Sequence, residues 1–247
     1  MSNLINGITF SLFINENFED RFVAKKITDV FLRSAKTITP KKFGYFQPDV
    51  KIVDAEKVID VLVNKDGPKV GPRAGSLILE ASKGCGFQIQ WNKSSQPCFS
   101  FIGGHLMFEN IHKDNEILND YIRLVRDLVA EFSFEYGEVR SMALKGWDLP
   151  LNLQIRLPDI PPISIYGKNY ISFFGEEKIK RAPFLKLEKI GDSYWLVAEE
   201  SLFNEVPEVK RAKIRSYLGE DSFMANGKWK YSDGNAPKFD LSFSSCN

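Results

Sequence analysis

Histidine is almost missing from this chain of 247 residues. His105 and His112 are the two that occur, so a zinc site or a histidine-based triad would have to use one of them. Neither stands in an H-x-x-x-H spacing or beside the paired cysteines that such metals need, and both are read as structural. Cysteine is equally sparse: Cys85, Cys98 and Cys246 make an odd number without metal-like spacing. Cys85 and Cys98 fall on neighbouring strand segments, where a thiol usually serves packing. Long apolar runs are absent too, none approaching the ~18 residues that span a bilayer. The N-terminus, MSNLINGITFSLFINENF, has neither a basic start nor a continuous apolar core, so no signal peptide is expected. Finally there is no excess of one charge. Thirty-three basic residues against 32 acidic ones leave a net charge of +1, which gives no global pull toward nucleic acid or an anionic membrane. The shortages favour a reducing, cytoplasmic compartment. They also leave no catalytic residue, cofactor or metal to name.

What is present is a core. Hydrophobic residues make up 43% of the chain, with 20 Phe, which is enough to bury a substantial interior at this length. The clearest element runs from Asp114 to Phe132. Ile117, Leu118, Tyr121, Leu124, Val125, Leu128 and Phe132 recur at steps of three and four, so they line one helix face. Asp114 is placed to cap its start. The many phenylalanines, Phe22, Phe31, Phe87, Phe99 and Phe132 among them, read as core rather than as a base-stacking platform.

Around that helix the pattern is α+β. Gly7 to Ile14 alternates as a strand, and Phe18 to Phe31 switches to helical spacing that ends before Pro40. Phe43 to Phe46 is extended, and Asp54 caps a helix through Ala55, Val58, Ile59 and Leu62. Asn64 to Gly75 is a Gly/Pro loop. Four short strands follow at 76–81, 86–91, 98–102 and 106–111, and another spans 137–144. Gly146 to Pro162 carries four prolines and reads as a semi-rigid connection. Beyond it come a strand at 163–166, helical spacing within 170–181, a hairpin around Gly191-Asp192, and a helix from Pro207 to Leu218 capped by Gly219. The last stretch, 232–247, is polar enough for partial disorder. The expectation is an antiparallel sheet packed by two or three helices over residues 1–145, with a smaller α+β portion over 146–247 packed against it as one unit.

Three constellations bear on function. Pro158-Asp159 followed by Glu176-Glu177-Lys178 fits the P-D…(D/E)-x-K spelling of metal-dependent nucleases. There Asp159 and Glu176 would hold Mg²⁺ and Lys178 would orient the attacking water. However, Glu176 to Lys180 resembles exposed first turns of a helix, whereas that site needs a strand. Gly71 to Ser76 looks loosely like a phosphate loop but lacks its lysine and leads into a strand, so it reads as a turn; a small-molecule sensor using Arg73 is the weaker third reading. Lys210, Arg211, Lys213 and Arg215 spread around their helix and make no phosphate-tracking stripe. Just before them, Glu199, Glu200, Glu205 and Glu208 surround Leu202, Phe203 and Val206. Carboxylates steer a basic protein partner and an apolar residue anchors it, which makes Glu199, Glu200, Phe203, Glu205 and Glu208 the candidate partner-binding residues. The competing reading tucks the apolar ones into the core.

Phe134-Glu135-Tyr136-Gly137-Glu138-Val139, Trp147, Tyr166-Gly167-Lys168-Asn169-Tyr170-Ile171, Phe174-Gly175, Lys178-Ile179 and Ala182-Pro183 resemble bacterial immunity proteins of polymorphic toxin systems, immunity-protein family fifty-two. That resemblance implies a non-enzymatic cytoplasmic antidote, which blocks a cognate toxin protein, typically a nuclease, without touching nucleic acid or membrane itself. It carries over no catalytic residue.

Overall fold

The computed structural model describes residues 7–64, 74–82, 84–92, 99–112, 115–142, 153–224 and 235–241. Their contacts cluster into two units, Thr9–Phe132 and Ser133–Asp240, with Gly7 and Ile8 belonging to the latter.

β1 (Gly7–Ile14) is the strand the alternation requires, and Ile8, Phe10, Leu12 and Ile14 are fully buried. α1 (Arg21–Arg33) starts where Asp20 accepts hydrogen bonds from the amides of Phe22 and Val23 at 2.8 and 3.1 Å, satisfying two N–H groups that a helix start leaves unpaired. Its buried face is Ala24, Ile27, Thr28, Val30 and Phe31. Phe22, expected in the core, is instead 77% exposed. At about 100° per residue it points away from Phe31, so the core side of the helix never includes it. β2 (Lys42–Gly44) and β3 (Val50–Lys51) form a short hairpin. α2 (Ala55–Val63) is capped by Asp54, which accepts from Glu56 N at 3.0 Å, and it buries Val58, Ile59 and Leu62.

β4 (Ala74–Ser82) and β5 (Cys85–Asn92) follow, but the next two expected strands are one, β6 (Ser100–Met107), and its expected continuation is a helical turn, α3 (Phe108–Ile111). Gly103 and Gly104 lie in the interval between the two expected strands. In the structure the glycines make room for rings: a Cβ on Gly103 would lie 2.4 Å from the Phe101 ring, and one on Gly104 would lie 2.5 Å from that of Phe10. α4 (Asn115–Glu131) is the organising helix, with Ile117, Tyr121, Leu124, Val125, Leu128 and Val129 buried. Its expected cap, Asp114, lies outside the described residues. Within this unit the strand order is β3-β2-β4-β5-β6-β1. Tyr121 brings α4 onto the sheet, its ring 5.4 Å from Phe10 and 6.2 Å from Phe87, while Phe31 of α1 comes within 5.1 Å of Phe87.

The C-terminal unit opens with β7 (Phe134–Ser141) and β8 (Ile163–Tyr166). Residues 146–152 of the expected connection between them lie outside the described residues. The described part is not a free linker, because Leu153, Leu157 and Ile160 are buried and Leu157 exchanges backbone hydrogen bonds with Ser222 and Met224 at 2.9 Å. The helical region of 170–181 is two helices, α5 (Lys168–Phe174) and α6 (Glu176–Arg181), separated by Gly175 at φ 86°. β9 (Lys186–Ile190) and β10 (Ser193–Val197) make the expected hairpin, with Gly191 at φ 56° in its turn. α7 (Glu208–Leu218) begins after Pro207 and ends at Gly219, φ 119°, as the Pro/Gly punctuation indicated. The order here is β7-β8-β10-β9. In the tail, residues 235–241 have no regular structure yet are anchored: Asn235 donates to Ser222 at 3.0 Å, and the Phe239 ring is 5.7 Å from Tyr170. The described chain is thus α+β, antiparallel strands packed by helices.

Candidate partner-binding surface

The acidic segment leaves β10 and runs to the start of α7. Its backbone is tied at one end, where Ala198 N and Glu199 N both donate to the carbonyl of Pro162, at 2.8 and 3.2 Å. Between there and Pro207 the apolar residues divide. Leu202 and Val206 are 8% and 2% exposed, so they are core residues, whereas Phe203 remains 41% exposed. The core reading of this stretch therefore holds for Leu202 and Val206, and Phe203 is left at the surface. The reason is local: a turn at Leu202-Phe203 cannot send two adjacent side chains to the same side.

The carboxylates divide as well. Glu200 meets Lys186 of β9 at 3.1 Å, both largely exposed, a pairing that contributes little in water. Glu199 accepts from the amide of Glu200 at 3.0 Å. Glu205 is exposed, and among the described residues neither it nor Glu199 has a cationic partner. Glu208 belongs to a different structure. Its carboxylate takes Arg215 Nη2 at 2.6 Å and Arg211 Nη2 at 2.7 Å, while Asp159 takes Arg215 Nη1 at 2.5 Å and Arg211 Nη1 at 3.0 Å. The Arg215 hydrogen bond, and then the neighbouring guanidinium charges, hold Glu208 below the usual carboxylate range. Arg215 is only 4% exposed. Burial opposes its charge, but the Glu208 and Asp159 carboxylates outweigh that and raise its pKa. Two exposed apolar residues flank the segment that sequence reasoning did not select: Leu185, 50% exposed beside Lys186, and Val209, 85% exposed in the first turn of α7. Only the fold reveals Leu185, because the β9–β10 pairing brings it to the segment.

The nuclease spelling is not assembled. Asp159 has both oxygens on guanidinium groups, Glu176 accepts from Tyr194 Oη at 2.6 Å and pairs with Lys180 at 3.3 Å, and Lys178 donates to the Leu218 carbonyl at 2.9 Å. Each of the three is engaged with a different partner. Glu176 and Lys178 sit on a helix, the context that argued against the spelling. In the basic cluster Arg211 and Arg215 are salt-bridged, and Arg215 is buried rather than solvated. His105 lies on β6, and His112 follows α3 with its ring 6.4 Å from Phe108. Burial pushes the Cys85 thiol up to about 12, which keeps it protonated and a poor nucleophile. Cys98, Cys246, Trp147 and Arg73 lie outside the described residues.

The motifs behind the family resemblance build scaffold. Tyr136, Tyr166, Tyr170 and Phe174 pack ring against ring at 5.5–6.3 Å. A Cβ on Gly167 would lie 1.6 Å from the Phe134 carbonyl oxygen, so only glycine fits there.

No family model matches the chain, and no curated protein does. Among solved structures it is similar in fold to a Pseudomonas aeruginosa T6SS protein, PA0821, with a TM-score of 0.58 and 10% identity, over 88% of this chain and 76% of that one.

Proposed function

We propose that this chain is a cytoplasmic antidote: a non-enzymatic immunity protein that binds and blocks a cognate toxin, with Phe203 and the carboxylates of Glu199, Glu200 and Glu205 in the contact. The observation that carries the reading is the likeness of fold, across most of the chain, to a protein of a secretion system. A cell that delivers toxins needs a matching protector. The division of the acidic segment supports it further, because a half-exposed aromatic side chain beside Glu199 and Glu205, which have no cationic partner among the described residues, and Glu200, whose pairing with Lys186 is solvent-exposed, suits a basic protein surface. A nuclease, the toxin class the resemblance implies, has such a surface wherever it grips phosphates. Glu208 contributes by position, since the two arginines fix it at the head of α7.

The test is co-expression with the product of the adjacent upstream gene. That product alone should arrest growth, and this chain should restore it and co-purify with it. A non-toxic neighbour, or a toxic one against which this chain gives no protection, overturns the reading. Given protection, Phe203→Ala should weaken the purified complex by about 2 kcal/mol, some thirtyfold in Kd, as measured by calorimetry.

A further inference from the structure

The β2–β3 hairpin of the N-terminal unit has surface chemistry that neither the acidic segment nor the antidote reading uses. β3 is the end of that unit's strand order, and an end strand presents unpaired backbone groups. The chain turns so tightly before it that a Cβ on Gly44 would lie 1.7 Å from the Gln47 carbonyl oxygen. This turn holds Phe46 outward, 59% exposed, with Val50 and Val53 at 45% and 75%. Lys42 stands directly opposite Lys51 in the register, a like-charge pairing that works against the sheet. Glu80, on the other side of Lys42, relieves that lysine at 3.2 Å. Lys51 and Lys41 have no carboxylate partner among the described residues. The neighbouring Asp54 is taken up in capping α2, and Asp49 turns toward Gly44.

We propose that this hairpin is a docking edge for an extended acidic segment of a partner protein. Its carboxylates would meet Lys41 and Lys51, its apolar side chains would cover Phe46, Val50 and Val53, and its backbone would pair with the open edge of β3. Charge complementarity selects this occupant: the cationic groups without partners stand beside exposed apolar side chains and an unpaired strand edge, and an acidic strand satisfies all three. The surface is distinct from the acidic segment and does not depend on the antidote reading.

The probe is a capped nonapeptide alternating Glu with Val, titrated into the full chain and followed by backbone amide NMR. Shift changes should concentrate at 41–53. Affinity should fall about tenfold in Lys51→Glu and again when salt is raised. Lys41→Glu and Val53→Ser serve as second variants, with unfolding midpoints confirming that each is folded. The proposal is overturned if an alternating Lys/Val peptide binds equally well, or if the hairpin amides do not move. It is also overturned if phosphatidylglycerol vesicles or an oligodeoxynucleotide occupy the hairpin while the acidic peptide does not.

Discussion

The two units solve the same packing problem with different chemistry. In the N-terminal unit the sheet and its helices meet through rings and aliphatic side chains: Tyr121 against Phe10 and Phe87, Phe31 against Phe87. Ion pairs such as those of Arg21 with Glu56 and Asp60 lie at its exposed surface. The C-terminal unit has its own aromatic stack, but charge is drawn inside it. Arg215 is buried between Asp159 and Glu208, and Glu138, 2% exposed, is held by Tyr136 Oη and Arg140 Nε, both at 3.0 Å. Apolar packing is non-directional and tolerates similar shapes. A buried charge demands particular partners, and losing one leaves the others desolvated and unpaired.

Four measurements would sharpen or break this contrast. Phe87→Ala should cost about 3–5 kcal/mol in denaturant unfolding, because the ring sits at the junction of α1, α4 and the sheet. Arg215→Ala should cost about 2–4 kcal/mol, somewhat less than a fully enclosed pair because Arg211 remains and Glu208 is half exposed. Arg215→Met, which keeps the packing volume, should recover part of that loss; full recovery would mean that α7 is held by packing alone, and none that the charged pairs alone hold it. Gly104→Ala should cost about 1–3 kcal/mol through overpacking against Phe10 and Phe87, and a neutral result would mean that the rings move aside. The smallest effect is a pH dependence. The folded carboxyl of Glu208 titrates below its unfolded value, so its contribution is present above the unfolded pKa of about 4.3 and is lost as the pH falls through the lower folded value. Acid unfolding of Arg215→Met should show a shallower slope there, whereas Phe87→Ala should keep the original one.

Much of the fold is legible because its causes are local. The period of α4, the alternation of β1, Asp54 capping α2, and Pro207 with Gly219 bracketing α7 all act within a few residues. What was not legible depended on distant neighbours. Gly103 and Gly104 carry the signature of a turn, and only the rings of Phe101, Phe10 and Phe87 explain why they sit inside a strand. Phe22 matches a helical hydrophobic pattern, yet which side of α1 faces the sheet is settled by Ala24, Ile27 and Phe31 together. The candidate surface was legible as a segment but not in detail: nothing in the string Glu199 to Glu208 says that Leu202 turns inward, Phe203 outward, and Glu208 toward a pair of arginines.

By itself the sequence determined most element types, the α+β class and the apolar seam of the organising helix, because backbone preference and side-chain period are properties of short stretches. The tertiary structure alone decided the state of the charges. Asp159 and Arg215 are 56 residues apart in the chain, and whether a carboxylate becomes a ligand, a partner surface or a strut depends on what folding brings within hydrogen-bond reach.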